Sequence, residues 1–107
     1  MTEIIGVDAE TAHTWVEAGE ALLIDVREAE ELSEVRLSGA VHVPMSAFDP
    51  HAVPTDSGKK LVFICAQGMR SLQVGQHMLD QGLLDEAYNL HEGLTAWVQA
   101  GLPCERE

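Results

Sequence analysis

Apolar positions along the chain occur in short runs that are separated by turn residues and polar segments. Five such runs predict β-strands, and they cover Ile4–Val7, Ala21–Val26, Ala40–Val43, Leu61–Ile64 and Ala87–Leu90. The second and fourth runs are almost continuously apolar, which is typical of strands buried on both faces. Because mixed polar and apolar segments lie between the runs, the pattern predicts an α/β fold with a mainly parallel sheet covered by helices.

Capping residues and glycines set the expected helix boundaries. Helices are predicted from the cap Asp8 to about Ala18, from about Glu28 to Val35, from the cap Ser71 through Leu72 to about Gln81, and around Leu94–Val98 before Gly101 and Pro103. Residues 46–58 contain two prolines and several turn residues, which predicts a loop with one helical turn. The pattern as a whole predicts about five strands and about five helices.

Length and charge narrow the functional classes. A chain of 107 residues predicts one domain over residues 1–107. The formal net charge of −12, with Lys59-Lys60 as the sole basic pair, excludes binding to nucleic acid and to anionic membrane surfaces. The chain opens without a basic-then-apolar signal and has no apolar run of bilayer length, so we expect a cytoplasmic protein whose two cysteines are free thiols.

The segment from Cys65 to Ser71 is the candidate for chemistry. Cys65 follows the strongest predicted strand and precedes a helix, and the carboxyl ends of central strands are where open α/β sheets bind ligands. Gly68 permits a tight turn of amides, Arg70 supplies positive charge, and Ser71 supplies a hydroxyl. We expect the helix terminus and the Arg70 guanidinium to lower the pKa of Cys65 and so favour its thiolate.

A lone cysteine at the end of a strand has an ordinary alternative, which is to serve as a small buried hydrophobe. An unperturbed thiol is only about 3 % ionised at pH 7, which is too little for an efficient nucleophile. The glycine, arginine and serine that follow Cys65 favour the nucleophile over the packing role.

Five segments together resemble the rhodanese family in order and spacing. They are Asp25-Val26-Arg27, Gly39-Ala40-Val41-His42-Val43-Pro44, Cys65-Ala66-Gln67-Gly68-Met69-Arg70-Ser71, Gly93-Leu94-Thr95-Ala96-Trp97 and Ala100-Gly101-Leu102-Pro103. The resemblance extends from about Gly6 to Pro103. It implies a five-stranded, mainly parallel sheet with helices on both faces, and a catalytic cysteine that opens a loop of converging amides.

The resemblance also implies roles for individual residues. Cys65 matches the nucleophile, and Arg70 matches the loop arginine that binds an anionic donor. Asp25 and Arg27 match a pair at a strand end beside the loop, where a supporting ion pair is the expected role. The cradle for the transferred group is expected from the backbone amides of Ala66, Gln67, Gly68, Met69, Arg70 and Ser71.

Loop length separates sulfur transfer from a related chemistry. The related cell-cycle phosphatases and arsenate reductases have a loop that is one residue longer and holds a phosphate-sized centre. Cys65 to Arg70 spans six residues, the shorter length associated with sulfur transfer, so the resemblance disfavours a phosphatase.

The sequence departs from the family pattern in two places. Residues 35–38 read Val-Arg-Leu-Ser where the family has Gly-His-Ile-Pro, so the role of the missing histidine is not carried over. We expect Arg36 to lie in water rather than at the site. Glu92 stands where the family often has the first of two glycines before Leu94, which predicts an altered turn.

The expected reaction is attack of the Cys65 thiolate on the outer sulfur of thiosulfate or a related donor, which leaves sulfite and a persulfide. A thiol, cyanide or a protein would then accept the sulfur. The alternative is a persulfide carrier between protein partners with little activity on free thiosulfate; a silent interaction module is disfavoured because both Cys65 and Arg70 are present.

No metal or organic cofactor is expected, since the five histidines lack ligand spacing. We expect Cys104 to be a solvent-exposed spare thiol rather than a resolving thiol for a Cys65 persulfide, and Trp97 to be a core residue.

Overall fold

The computed structural model describes residues 3–106, with only the backbone of Arg106, and its centre is one parallel sheet. Its strands are β1 (Ile5–Val7), β2 (Ala21–Asp25), β4 (Val41–His42), β5 (Lys60–Ile64) and β6 (Tyr88–Leu90). They lie side by side in the order β1-β6-β5-β2-β4, and every neighbouring pair is parallel. The predicted five-stranded parallel sheet is confirmed.

Within residues 3–106, four α-helices and two 3₁₀ turns connect the strands. The α-helices are α1 (Ala9–Glu17), α2 (Ala29–Leu32), α3 (Met69–Asp80) and α4 (Gly93–Gln99). The 3₁₀ turns Met45–Ala47 and Pro50–Ala52 occupy the segment for which one helical turn was predicted. Among residues 3–106, no helix is long and apolar enough to cross a bilayer.

Helices cover both faces of the sheet, because successive side chains of a strand point to opposite faces. On β5, Val62 and Ile64 join the cluster that contains Ala12 of α1 and Trp97 of α4. The opposite cluster contains Phe63 and Cys65 together with α3 residues such as Met78. Cys65 therefore lies on the face that α3 covers.

The predicted helix from Glu28 to Val35 is wrong in length. Helix α2 ends at Leu32, and Val35 begins the two-residue strand β3 (Val35–Arg36), which pairs antiparallel with β7 (Glu105–Arg106). The physical reason is the Arg27 guanidinium, which donates to the carbonyl oxygens of Glu31 at 3.4 Å and Val35 at 2.8 Å. In a continued helix the Glu31 carbonyl would instead accept from the Val35 amide.

The start of α3 also differs from the prediction. Ser71 was expected to cap this helix from outside, whereas α3 begins at Met69 and Gly68 precedes it with φ of 94°. Ser71 therefore lies in the first turn of α3. Its hydroxyl is directed toward Cys65 and the buried Asn89 rather than to the helix backbone.

Candidate active site

Three strand ends meet around Cys65. It directly follows β5, which lies between β6 and β2, and the loop from Cys65 leads into α3. The carbonyl oxygen of Cys65 accepts from the Leu94 amide at 2.9 Å, so the loop after β6 is joined to the loop after β5. On the other side, Asp25 ends β2. The expected placement of the cysteine at the carboxyl edge of the sheet is confirmed.

Hydrogen-bond donors converge on the sulfur of Cys65. The amide of Gly68 lies 3.1 Å from Sγ, the amide of Ser71 3.4 Å and the Ser71 hydroxyl 3.3 Å. Burial raises the pKa of the Cys65 thiol. The hydrogen bonds from Ser71 and from the amides of Gln67 and Gly68 lower that pKa by more than burial raises it, so the pKa of Cys65 lies below its ordinary value. The arrangement stabilises a thiolate.

Two glycines allow this loop to fold tightly. Gly68 has φ of 94°, and a Cβ there would lie 3.1 Å from the Glu92 nitrogen. Gly93 has φ of 63°, and a Cβ there would lie 2.5 Å from the Cys65 carbonyl oxygen. A side chain would be strained at both positions because φ is positive, and at Gly93 its Cβ would also overlap the backbone of the neighbouring loop.

Asn89 is a site residue that the sequence analysis missed. It lies on β6, is buried, donates through Nδ2 to the Gly68 carbonyl at 3.1 Å and accepts from the Ser71 hydroxyl at 2.5 Å. The signal was present as a lone amide within the apolar run Ala87–Leu90, since a buried polar side chain requires a partner. Thr95 was missed as well, and its hydroxyl donates to the Ala66 carbonyl at 3.1 Å.

Arg70, whose guanidinium was expected to lower the pKa of Cys65, makes its hydrogen bonds to Glu31 rather than to the sulfur. Its Nη1 and Nη2 donate to the two carboxylate oxygens of Glu31 at 2.8 and 2.7 Å. This bond holds the pKa of Glu31 at about 2 and raises the pKa of Arg70. The hydrogen bonds that favour the thiolate therefore come from the loop amides and Ser71, while Arg70 contributes at longer range through its charge.

Asp25 and Arg27 form a buried ion pair. The Arg27 guanidinium donates to both Asp25 oxygens, at 3.0 Å from Nε and 2.8 Å from Nη2, and the two residues are 2 % and 1 % exposed. The sequence-predicted pair exists; its role in supporting the site stays a prediction. Arg36 is exposed, as expected, with Nε 3.7 Å from Glu105.

Two openings adjoin the loop. A small cavity of about 130 Å³ is lined by Cys65, Ala66, Gln67, Met69 and Arg70. A larger groove of about 440 Å³ shares Ala66 with it and is also lined by Arg27, Glu31, Glu34 and Leu94. Since Arg70 lines the first opening and Glu31 the second, their ion pair lies between the two.

The remaining candidates lie away from the sulfur. Cys104 is a free thiol that packs against the cluster on the face opposite Cys65. Trp97 belongs to that same cluster, is 3 % exposed and donates from Nε1 to the Pro103 carbonyl at 2.8 Å, so its predicted packing role is confirmed. In the described part of the chain, no cluster of His, Cys, Asp and Glu could hold a metal ion.

Comparison with known proteins identifies the family. The family model of the rhodanese-like domain matches residues 8–100. The chain belongs to the rhodanese-like family. This rhodanese-like chain is 41 % identical over 83 residues to the Bacillus subtilis protein named "Putative sulfurtransferase YtwF". The aligned segment covers 77 % of this chain and 79 % of that protein. It is 29 % identical over 99 residues to the thiosulfate sulfurtransferase GlpE of Actinobacillus succinogenes, covering 92 % and 88 % of the two chains.

A solved structure confirms the rhodanese-like fold. The crystal structure of a rhodanese-related protein from Thermoplasma volcanium superposes with a TM-score of 0.80 at 25 % identity, covering 96 % of this chain and 99 % of that one. The fold and family expected from the sequence resemblance are confirmed, and with them membership of a sulfurtransferase family.

Proposed function

We propose that this chain transfers sulfane sulfur from thiosulfate or a related donor to a thiophilic acceptor through a persulfide on Cys65. The observation that carries the proposal is the convergence of two amides and one hydroxyl on Sγ, all within 3.4 Å. Donors placed in this way stabilise negative charge on a sulfur nucleophile. The name of the GlpE relative supports thiosulfate as a donor.

In the first step, the Cys65 thiolate attacks the outer sulfur of thiosulfate. The bond between the two thiosulfate sulfurs breaks, its electron pair leaves with sulfite, and the new S–S bond forms on Cys65. The products are a dianionic sulfite and a persulfide anion, so the charge of the reactants is conserved. In the second step, cyanide or a thiolate attacks the outer persulfide sulfur, and the Cys65 thiolate is regenerated.

The loop supplies what the persulfide requires. The negative charge moves from Sγ to the outer sulfur during the first step, and the small cavity beside Cys65 offers room for that atom. The amides of Ala66, Gln67, Gly68, Met69 and Ser71 are the proposed cradle for the transferred group. Arg70 is the proposed partner of the anionic donor, and the Asp25–Arg27 ion pair is the proposed support for the loop.

Ser71 has one hydroxyl hydrogen and two neighbouring acceptors. It donates either to Sγ of Cys65 or to Oδ1 of Asn89, which lie 3.3 and 2.5 Å from its oxygen. When Cys65 is a thiol, the sulfur needs no donor and Asn89 takes the hydrogen. When Cys65 is a thiolate, the hydroxyl turns to the sulfur, so Ser71 stabilises the attacking form.

The alternative is a carrier that receives sulfur from a protein donor, with little turnover of free thiosulfate. The same nucleophile and cradle serve both functions, so the source of the sulfur distinguishes them. We further propose that the protein is a single domain. Its proposed location is the cytoplasm, because a free thiol such as Cys65 stays reduced in that compartment.

The test is the intact mass of the protein after incubation with thiosulfate and no acceptor. We expect a gain of one sulfur, roughly 32 Da, which cyanide removes and which Cys65→Ser prevents. Cys104→Ser serves as the matched control and should gain the same mass. If thiosulfate adds no sulfur but a persulfide-loaded cysteine desulfurase does, the carrier function replaces thiosulfate transfer. If neither donor loads Cys65, the proposal is wrong.

A further inference from the structure

The loop arginine already has an anionic partner in this chain. Arg70 and Glu31 share two parallel hydrogen bonds of 2.8 and 2.7 Å, and their side chains are 34 % and 33 % exposed. Glu28 also stabilises the charge of Arg70, so two carboxylates act on one guanidinium. A donor that approaches Cys65 therefore meets an arginine whose charge is largely compensated.

The other two arginines with described side chains do not replace it. Arg27 is buried and its guanidinium binds Asp25. Arg36 is exposed and lies 3.7 Å from a carboxylate oxygen of Glu105. Neither offers an uncompensated charge to an incoming anion.

The two lysines lie at the wrong end of the sheet. Lys60 is the first residue of β5 and Cys65 follows its last, so Lys59 and Lys60 are separated from the sulfur by the length of the strand. The Lys60 ammonium lies 5.4 Å from the Trp15 ring centre. Within residues 3–106, the donors that face the sulfur are therefore backbone amides of the loop and the Ser71 hydroxyl.

Carboxylates also line the groove beside the site. Glu31 and Glu34 line the larger groove that adjoins the loop, and the protein as a whole carries a formal net charge of −12. A dianion is repelled by this field more strongly than a monoanion, because the interaction energy scales with the charge of the ligand.

We propose that Glu31 sets the donor class by competing with the donor for Arg70, so that the chain prefers sulfur donors with a single negative charge over dianionic thiosulfate. Organic thiosulfonates and alkyl persulfides belong to the preferred class. This inference rests on the proposed sulfur transfer through Cys65 and specifies its substrate.

The competition follows from the geometry of the pair. The carboxylate of Glu31 accepts one N–H bond from each Nη atom of Arg70, so this pair of parallel donors is not free for a sulfonate group. A dianion must displace this carboxylate or bind beside it, and both are unfavourable. A monoanion places its one charge on the sulfur to be transferred, where the loop amides can accept it without Arg70.

The chemistry of a monoanionic donor balances without a further reactant. The Cys65 thiolate attacks the terminal sulfur of methanethiosulfonate, the S–S bond of the donor breaks, and its electron pair leaves with methanesulfinate. Two single negative charges enter as thiolate and donor, and two leave as persulfide and sulfinate. Methanethiosulfonate differs from thiosulfate in that a methyl group replaces one charged oxygen, so the two donors form a matched pair of probes.

The test compares both donors, with cyanide as acceptor, in the wild type, in Glu31→Gln and in Glu30→Gln. Glutamine keeps the oxygen that accepts from the Glu28 amide, so α2 retains its N-terminal hydrogen bond while the charge on Arg70 is freed. Glu30 is exposed and makes the same change in net charge without touching Arg70. Thermal unfolding of each variant verifies the fold.

We expect Glu31→Gln to lower KM for thiosulfate by about threefold to tenfold, with a smaller effect on methanethiosulfonate and no loss of kcat. Glu30→Gln should change both KM values by less than about twofold, as expected for a charge at the surface. A higher KM or a lower kcat in Glu31→Gln would mean that Glu31 holds Arg70 in place for the donor, and it overturns the inference.

Two further outcomes separate this inference from the proposed function. Equal effects of Glu31→Gln on both donors would reflect general electrostatics and also overturn the inference, while sulfur transfer through Cys65 would stand. Absence of sulfur on Cys65 with either donor in every variant would overturn the proposed function together with the inference.

Discussion

Ser71 and Asn89 share a hydrogen bond of 2.5 Å between the first turn of α3 and the strand β6. The Asn89 amide nitrogen donates to the Gly68 carbonyl, which fixes its oxygen toward Ser71. Ser71 is thereby held 3.3 Å from the sulfur of Cys65. Asn89 thus positions the Ser71 hydroxyl beside the sulfur while Cys65 is a thiol, and the hydroxyl turns from Asn89 to the sulfur when the thiolate forms.

Replacement of Ser71 by alanine should make Cys65 less reactive. The variant loses a donor to the thiolate, so the pKa of Cys65 rises, and the alkylation rate at pH 7 should fall about fivefold if the bond contributes about 1 kcal/mol. The measurement is the iodoacetamide rate against pH in a Cys104→Ser background. For both proteins the rate rises with pH as the thiolate forms, and the Ser71→Ala profile should lie at higher pH.

The exposed Ser38 provides the control for this prediction. Ser38→Ala removes a hydroxyl elsewhere and should leave the alkylation profile of Cys65 unchanged. If Ser71→Ala also leaves the profile unchanged, the loop amides alone stabilise the thiolate and the proposed role of Ser71 is wrong.

Much of this site could be predicted from the sequence, because the relevant signals are local. The apolar run before Cys65 predicts a buried strand, Gly68 predicts a turn, and the following residues predict a helix. The contact between Arg70 and Glu31 could not be predicted in this way, since 39 positions separate the two residues and several carboxylates were available. Which carboxylate pairs with Arg70 depends on how α2 is placed beside the loop.

Gly93→Ala should destabilise the protein more than Gly101→Ala. Both glycines have positive φ, 63° and 72°, so both variants incur backbone strain of about 1 kcal/mol. At Gly93 the added Cβ also meets backbone atoms of Cys65 and Ala66, whereas at Gly101 it meets nothing within 4 Å. Urea unfolding should give Gly93→Ala a further loss of about 1–3 kcal/mol. Equal losses in the two variants would show that the loop rearranges around the added Cβ without a further loss of free energy of unfolding.

Short elements illustrate where local sequence signals fail. Residues 28–35 carry acids and apolar positions that suit a helix, but the Arg27 side chain takes the carbonyls of Glu31 and Val35. Strand β3 then pairs with β7, which lies about 70 residues later and is two residues long. A two-residue strand leaves no readable periodicity, so its pairing emerges only from the folded chain.

Arg27→Met should be strongly destabilising, while Arg36→Met should have little effect. Loss of the Arg27 guanidinium leaves the buried Asp25 carboxylate without its ionic partner, a change that typically costs about 3–5 kcal/mol. The Arg36 pair with Glu105 is exposed, so its loss should cost less than about 1 kcal/mol. Chemical denaturation of both variants measures the difference. A small effect of Arg27→Met would argue against its proposed support of the loop.

Cys104→Ser should leave sulfur transfer unchanged within about twofold. Cys104 packs on the face of the sheet opposite the cluster that contains Cys65, so it is not placed to resolve a persulfide there. The measurement is turnover with thiosulfate and a small thiol as acceptor, for which Cys65→Ser gives the inactive reference. Loss of turnover in Cys104→Ser would instead assign Cys104 a part in sulfur release.

Glu92→Gly should stabilise the protein. Glu92 is the sole non-glycine residue with positive φ among residues 3–106, at 62°, which explains why a glycine suits this position in the family pattern. Left-handed backbone costs a residue with a Cβ about 1–2 kcal/mol, and the greater freedom of glycine in the unfolded chain offsets part of that gain. We expect the free energy of unfolding to rise by about 0.5–1 kcal/mol. Glu92→Ala removes the same carboxylate but keeps the Cβ, so it should change stability little; equal gains in both variants would trace the effect to charge rather than to backbone strain.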